Sequence, residues 1–208
     1  QLASYQSTNS NDSRKRTFAE FAGTVISARG ASVEITLEDV DITGGEITQE
    51  FGSPWNNNLE QARRGQIWVQ NGSTTSIDLL RVDFVDGFGD EGGAIWTRDS
   101  AGPLTITDCT FENCSVREAG GYEGYGGAIY RNGGELTITN TSFVGCEADR
   151  RGGAIYAFGG GTRTITDCTF ENCRVQNATE AWGGALCLLE SPTAIITGST
   201  FTGNASES

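Results

Sequence analysis

The chain has 208 residues, a formal net charge of −13 at pH 7 and a glycine-rich composition, with 29 Gly and 3 Pro. This acidity disfavours nucleic acid and anionic membranes as partners, and no apolar stretch reaches the roughly 20 residues of a membrane-spanning helix. Histidine is absent, which removes the commonest general base and the commonest metal ligand and favours a protein without enzymatic activity.

The first part of the chain is not repetitive. Residues 1–17 are polar and rich in Ser and Asn, which predicts an N-terminal leader ahead of a repetitive body over residues 18–208. Weak copies of a repeat can be traced from Phe18 onward. They are interrupted over residues 51–58, where the sequence Phe-Gly-Ser-Pro-Trp-Asn-Asn-Asn predicts a loop.

A clear repeat organises the chain from Gly92 onward. Each copy opens with Gly-Gly-Ala-Ile or Gly-Gly-Ala-Leu, passes through a Thr-rich segment and reaches an apolar anchor. The anchors are Ile42, Phe84, Phe111, Phe143, Phe170 and Phe201, at spacings of 42, 27, 32, 27 and 31 residues. Repeats of this length predict a solenoid, because each unit must stack on a neighbour to bury its apolar face.

Within each unit the apolar residues alternate with period two, as in Leu104-Thr105-Ile106-Thr107, and this pattern is typical of β-strands. The alternation breaks at Asp108, which predicts a bend between two short strands. The Gly-Gly-Ala-Ile segment supplies a third strand. The sequence therefore predicts an all-β parallel β-helix of about six coils, with three short strands per coil.

The repeated Gly-Gly-Ala-[Ile/Leu] segments, followed by Phe111-Glu112-Asn113 and Phe170-Glu171-Asn172, resemble the repeats of chlamydial polymorphic membrane proteins and related bacterial surface proteins. The resemblance covers residues 92–204. It implies a right-handed parallel β-helix that is secreted or displayed on the cell surface, with an adhesive or structural role.

Four aromatic residues occupy equivalent places after the Gly-Gly-Ala strand: Trp68, Trp96, Tyr130 and Tyr156. Facing solvent, they would form a ladder that stacks on sugar rings, which predicts a glycan-binding surface. The alternative is that a loop or a partner chain covers them.

Two further patterns give alternative functions. Thr-x-Thr pairs at residues 105/107, 137/139 and 164/166 resemble the flat faces of ice-binding solenoids, although threonine also simply favours exposed strands. Carboxylates in register, Asp108 with Asp167, predict a carbohydrate-active enzyme as the other alternative. A solvated acidic surface explains the same carboxylates without any activity.

Acidic residues and cysteines provide the candidate metal and disulfide sites. Asp86, Asp90 and Glu91 lie close together in sequence as a candidate calcium site, and no other cofactor is expected. Cysteines in one column on coils about 4.8 Å apart are within disulfide range, whereas cysteines two coils apart are not. The column contains Cys114, Cys146 and Cys173, so at most one disulfide is predicted.

Sequons and coil ends suggest modification and partners. Asn71, Asn140, Asn177 and Asn204 are candidate glycosylation sites, whereas Asn113 is expected to lie inside the coil. A β-helix ends in unpaired strand edges, which predicts end-to-end stacking with copies of itself or with flanking domains. The resulting interpretation is a secreted or surface-displayed structural or adhesive module that binds glycans or a surface receptor, without direct membrane insertion.

Overall fold

The computed structural model describes residues 16–18, 25–29, 33–44, 65–70, 75–98, 102–118, 123–176 and 181–207. Within these ranges every regular element is a β-strand, and the strands are numbered β1 to β22 in chain order. No helix in the described part of the chain has the length and apolar character needed to cross a membrane. The predicted loop at residues 51–58 lies outside the described residues.

The described strands form four faces, and the strands of neighbouring coils pair in parallel. Face 1 is a six-stranded sheet that follows the Gly-Gly-Ala segments. Its strands are β2 (Ile26–Arg29), β4 (Ile67–Gln70), β7 (Ile95–Arg98), β11 (Ile129–Asn132), β15 (Ile155–Phe158) and β19 (Leu186–Leu189).

Faces 2 and 3 are the two halves of one bent, eleven-stranded sheet. The long strands β3 (Glu34–Thr43) and β5 (Ser76–Val85) run through both faces. Face 2 also contains β8 (Leu104–Thr107), β12 (Leu136–Thr139), β16 (Thr162–Thr166) and β20 (Thr193–Thr197). Face 3 also contains β1 (Arg16–Phe18), β9 (Thr110–Glu112), β13 (Ser142–Val144), β17 (Thr169–Glu171) and β21 (Thr200–Thr202).

Face 4 is a narrow five-stranded sheet of two-residue strands: β6 (Phe88–Gly89), β10 (Ser115–Val116), β14 (Glu147–Ala148), β18 (Arg174–Val175) and β22 (Ala205–Ser206). The predicted parallel β-helix is confirmed, with two differences. Each complete coil has four strands instead of three, because a two-residue strand is too short to show period-two alternation. Among the described residues, four coils rather than about six have this regular form, those that begin at β7, β11, β15 and β19, whereas the two that begin at β2 and β4 pass through faces 2 and 3 in one long strand.

Residues with positive φ separate the faces. Asp108, Asn140 and Asp167 have φ of 54°, 47° and 53° between faces 2 and 3, so the predicted bend at Asp108 is confirmed. Asp and Asn tolerate this left-handed conformation better than other non-glycine residues, which explains their recurrence at the bend. The boundary predicted between residues 17 and 18 falls inside β1, which pairs with β3.

The apolar core lies inside the coils and is built from columns of mostly similar apolar residues. The rings of Phe84, Phe111, Phe143, Phe170 and Phe201 stack at 4.7–4.8 Å between successive centroids. Ile42 is in register with Phe84 at the start of the same column. The predicted anchor residues therefore do share one column, and they hold the strand register of face 3.

The Gly-Gly-Ala segment positions face 1 against the next coil. A side chain at Gly127 would overlap the carbonyl oxygen of Gly153, and Gly126 has φ of 67°. Only glycine fits both requirements without strain. The repeat is therefore a packing signature of the coil.

Two arginines, Arg131 and Arg163, are fully buried inside the coils. Arg131 donates to the hydroxyl of Thr97 at 3.2 Å and to the carbonyls of Gly102 and Glu135. Burial and the neighbouring Arg163 lower the pKa of Arg131 to about 10. These guanidinium groups hold together the turns between faces 1 and 2 by donating to backbone carbonyls there, among them those of Gly102 and Gly134.

Candidate functional site

The aromatic ladder on face 1 exists but does not face solvent. Trp68, Trp96, Tyr130 and Tyr156 stack in order, with centroids 5.5–5.8 Å apart. Their exposed fractions are only 4–7%. The prediction of an exposed glycan-stacking ladder on these four residues is therefore wrong.

A second column outside face 1 covers the ladder. Its members are the residues immediately before the Gly-Gly pairs, and Tyr125, Arg151 and Trp182 are joined by isolated parallel bridges. The ring of Tyr125 stacks on Tyr156 at 4.6 Å, and the guanidinium of Arg151 lies over the rings of Tyr125 and Trp182 at 5.2 and 4.3 Å. The aromatic ladder is thus an inner layer of side chains, and the column with Tyr125, Arg151 and Trp182 packs outside it as a second layer.

Glu91 belongs to this outer layer, where its carboxylate accepts the indole N–H of Trp96 at 3.0 Å. Burial raises the pKa of Glu91 to about 7, and the hydrogen bond from Trp96 opposes that rise. Protonation of a buried carboxyl avoids the free-energy penalty of an ionised group in an apolar environment.

The candidate calcium site is not assembled. Asp86 is exposed at the bend between faces 3 and 4, with φ of 54°, whereas Asp90 and Glu91 are buried. Across the ranges that the structure describes, no group of three or more His, Cys, Asp or Glu side chains is arranged to hold a metal ion. The prediction of a calcium site from proximity in sequence is wrong, because the left-handed bend turns the exposed Asp86 away from Asp90 and Glu91.

The cysteines are structural. All six are free and buried. The thiols of Cys114, Cys146 and Cys173 point to the carbonyls of Phe84, Phe111 and Phe143 in the preceding coils, with S···O distances of 3.9, 3.6 and 3.6 Å. Burial raises the pKa of the Cys146 thiol, and it raises that of Cys109 to about 11. Thiols held protonated in this way are poor nucleophiles.

Asn204 occupies the same column as these cysteines. Its amide N–H donates to the carbonyl of Phe170 at 2.9 Å, and its side-chain oxygen accepts the backbone N–H of Cys173 at 2.8 Å. The internal asparagine therefore follows Phe201 by three residues. Asn113 and Asn172, which follow their phenylalanines by two, have φ of 53° and are exposed, so the prediction that Asn113 lies inside is wrong.

The other sequon residues have different surroundings. Asn140 is exposed and donates to the carboxylate of Asp108 at 2.6 Å. Asn204 is half-buried and its amide is already hydrogen-bonded inside the coil. Asn71 and Asn177 lie outside the described residues.

The bend between faces 2 and 3 forms a polar groove of about 240 Å³. Asp108, Asn140 and Asp167 line it from the bend itself, with Thr110, Ser142 and Thr169 on face 3 and buried Cys109 and Thr141 at its floor. Asp167 receives no hydrogen bond from any other described residue. The groove thus offers oxygen acceptors to a ligand that brings O–H or N–H donors.

The Thr-x-Thr pairs border this groove on face 2 in the predicted register. Thr105, Thr137 and Thr164 are paired in one row, as are Thr107, Thr139 and Thr166. All six are half-buried. Ile195 interrupts the first row, while Thr197 extends the second and its hydroxyl lies 3.3 Å from that of Thr166.

The sequence did not indicate the column of residues that covers the aromatic ladder, nor the two buried arginines. Glu91, Tyr125, Arg151 and Trp182 share a position but no residue type, so no repeated letter marks their column. These four residues could have been identified only by their position, because each of them directly precedes a Gly-Gly pair. Arg131 and Arg163 occupy inward positions where the pattern predicts apolar residues.

A protein-family model described as "Right handed beta helix region" matches residues 6–207, nearly the whole chain. Neither the comparison with curated proteins nor that with solved structures gave a significant match. The description of this family agrees with the parallel coils described above. The chain therefore belongs to the right-handed β-helix family.

Proposed function

We propose that this chain is a secreted or surface-displayed structural and adhesive module, without catalytic activity, that binds a glycan along its coils. One observation carries the proposal: the groove between faces 2 and 3 presents similar polar side chains on successive coils. Asp108, Asn140 and Asp167 repeat with the coil spacing, as do Thr110, Ser142 and Thr169. A repeated surface suits a repeating polymer, whereas catalysis requires different groups to converge on one reacting atom.

The groove also replaces the aromatic ladder as the glycan-binding surface. Asp108 and Asp167 make the groove negative, on a chain whose net charge is −13. Neutral or amine-bearing sugars satisfy these acceptors, while uronic acids are repelled by them. The resemblance of the Gly-Gly-Ala repeats to those of chlamydial polymorphic membrane proteins supports surface display.

Isothermal titration calorimetry with neutral, amine-bearing and uronic acid oligosaccharides tests the proposal. We expect amine-bearing oligomers to bind most tightly and Asp167→Asn to weaken them by about tenfold, the effect of one charge-assisted hydrogen bond. Glu135→Gln is the matched control, because Glu135 is exposed beyond the opposite end of β12. Equal loss in both variants, or preferential binding of uronic acids, would contradict the groove.

The same samples test the enzyme alternative. Asp108 and Asp167 are two coils apart, roughly 9.6 Å at the spacing of parallel strands, and Asn140 stands between them. Incubation of each oligosaccharide with the protein should leave its length unchanged in chromatography. Cleavage that is lost in both Asp108→Asn and Asp167→Asn would replace the adhesive function with glycoside hydrolysis or lyase chemistry.

Ice binding is a second candidate, favoured by the in-register Thr rows on face 2. A flat array of threonines would order water in a lattice that matches ice. Thermal hysteresis measured on the protein, with Thr137→Lys at the middle of the first row as the disrupting variant, tests it. Absence of hysteresis in the unmodified chain would exclude this function.

A further inference from the structure

The outer surface beside the groove repeats every two coils, whereas the apolar core repeats every coil. The sequence Thr-Ile-Thr-Asp-Cys-Thr-Phe-Glu-Asn-Cys occurs at residues 105–114 and again, without change, at 164–173. The coil between them, with residues 137–146 in register, keeps the buried Ile, Phe and Cys of this segment. It has Asn140 and Val144 where the other two have Asp and Glu. Two acidic coils are therefore separated by one neutral coil.

Two rows of outward side chains carry this alternation. At the bend the residues are Asp108, Asn140 and Asp167, and on face 3 they are Glu112, Val144 and Glu171. All four carboxylates are exposed. Neighbouring parallel strands lie about 4.8 Å apart, so the two carboxylates of each row are separated by about 9.6 Å. A ligand that contacts both acidic coils needs cationic groups at this spacing.

The two carboxylates at the bend point in the same direction. Asp108 accepts the amide N–H of Asn140 in the following coil at 2.6 Å. The carboxylate of Asp167 is likewise directed at the following coil, where a Cβ at Gly198 would lie 1.9 Å from its Oδ1. Because both side chains have this direction, their separation stays that of two coils. Neither carboxylate forms an ion pair with any residue that the structure describes.

A β-1,4-linked chain of glucose-type sugars has a matching period. Each ring advances the chain by nearly one coil spacing, and successive rings are related by a half-turn. Amines at C2 therefore face the same side on every second ring. With one ring per coil, such a chain places an ammonium group at each acidic coil and the hydroxymethyl group of the flipped ring at Asn140. An extended peptide fits less well, since its same-face side chains recur every two residues, or about 6.8 Å.

We propose that the groove binds β-1,4-linked 2-amino sugars in one register, with the amines of alternate rings on Asp108 and Asp167 and the intervening ring at Asn140. This inference rests on the proposed glycan-binding function and adds to it the linkage and the position of the amines. The amines donate charge-assisted hydrogen bonds to the carboxylates. Glu112 and Glu171 have the same two-coil spacing on face 3, and their charges favour the same register.

Two trisaccharides of equal charge distinguish register from simple charge attraction. Both are β-1,4-linked and have two free amines and one acetamide, but the amines are on the first and third rings in one and on the first and second in the other. Isothermal titration calorimetry of the unmodified chain in mildly acidic buffer, where the amines are charged, compares them. We expect the first to bind about tenfold more tightly, because the second gains only one charge-assisted hydrogen bond.

Asn140→Asp should remove this preference. Asp has the same left-handed conformation in the coils on both sides, at Asp108 and Asp167, so the backbone accommodates the substitution. Adjacent amines then also contact two carboxylates, and the preference should fall to no more than about twofold. Gln176→Glu is the matched control, because it adds the same charge next to β18 on face 4 and should keep the tenfold preference. Circular dichroism checks that both variants fold.

The outcomes separate this register from the function on which it rests. Equal affinities of the two trisaccharides for the unmodified chain, or a preference that persists in Asn140→Asp, would overturn the register and leave glycan binding intact. If no neutral or amine-bearing oligosaccharide binds, both the register and the proposed function are wrong. Tighter binding of a lysine-rich peptide than of either trisaccharide would overturn the register and assign the groove to a peptide.

Discussion

The indole N–H of Trp96 donates a 3.0 Å hydrogen bond to the carboxylate of Glu91, and both side chains are buried. This pair makes stability depend on pH. The pKa of Glu91 rises from 4.5 to about 7 on folding, since burial penalises the charged form. The folded state therefore binds the proton more tightly than the unfolded chain does.

The protonated Glu91 therefore stabilises the folded state at low pH, and this stabilisation decreases as pH rises. The contribution of Glu91 is fully present below pH 4.5 and is lost as pH rises through about 7. We expect Glu91→Gln, which keeps an oxygen for Trp96, to flatten the fall in melting temperature between pH 5 and pH 8. The exposed Glu135→Gln variant should keep the slope of the unmodified chain. Parallel slopes for all three proteins would contradict a protonated Glu91.

Removal of the cover should destabilise the ladder beneath it. Tyr125 is 8% exposed and stacks on Tyr156, so Tyr125→Ala is expected to lower the free energy of unfolding by about 3 kcal/mol. Trp182, in the same outer column, is 46% exposed, and Trp182→Ala should lower it by less than about 1 kcal/mol. Urea denaturation measures both, and a larger effect at Trp182 would mean that the layer is anchored from its other end.

Arg131 should be stabilising because its buried guanidinium donates to backbone carbonyls at the turns between faces 1 and 2. Arg131→Met would remove the guanidinium donor from the carbonyl of Gly102, whereas the carbonyl of Glu135 would keep the backbone N–H of Leu104, and the expected loss in the free energy of unfolding is about 1–3 kcal/mol. Arg117→Met is the control, since Arg117 is 48% exposed and forms surface ion pairs with Glu147 and Asp149. Thermal denaturation of the two variants distinguishes them, and equal losses would refute the role assigned to the buried guanidinium.

The six buried, free cysteines predict six thiols that are inaccessible in the folded protein. Titration with a thiol reagent should detect all six after denaturation without reductant, and very few in the folded protein, because every cysteine is buried. One missing pair of thiols would indicate a single disulfide within Cys114, Cys146 and Cys173. Three missing pairs would contradict the strand register itself.

The fold was predictable because its determinants repeat in sequence. Stacked phenylalanines such as Phe111 and Phe143 must occupy one column. At Gly126-Gly127 only glycine allows the close approach between coils. The exposure of side chains was less predictable. Trp96 alternates outward as expected, but it is buried by Glu91 and Tyr130, and Tyr125 covers Tyr156. Period two predicts on which side of a strand a residue lies, and not what packs against that side.

The asparagine motif shows a second limit. Asn113 and Asn204 differ by one position relative to their phenylalanines, and a left-handed bend turns the first outward while the second reaches the interior. Backbone handedness at a single residue decided between an exposed and a buried amide. Nothing in the residue type distinguishes these two positions, because asparagine favours both of them.

The stacked phenylalanine column has a mechanical consequence. Each coil is held to the rest by its contacts with the neighbouring coils, and Phe201 is the last ring of the column among the described residues. A force that pulls on β22 would therefore peel the described solenoid one coil at a time, starting with β19 to β22. The first rupture would release the 31-residue repeat from Phe170 to Phe201, or roughly 100 Å of extended chain. A solenoid built in this way would yield in steps under shear and re-form each coil on the template of the next.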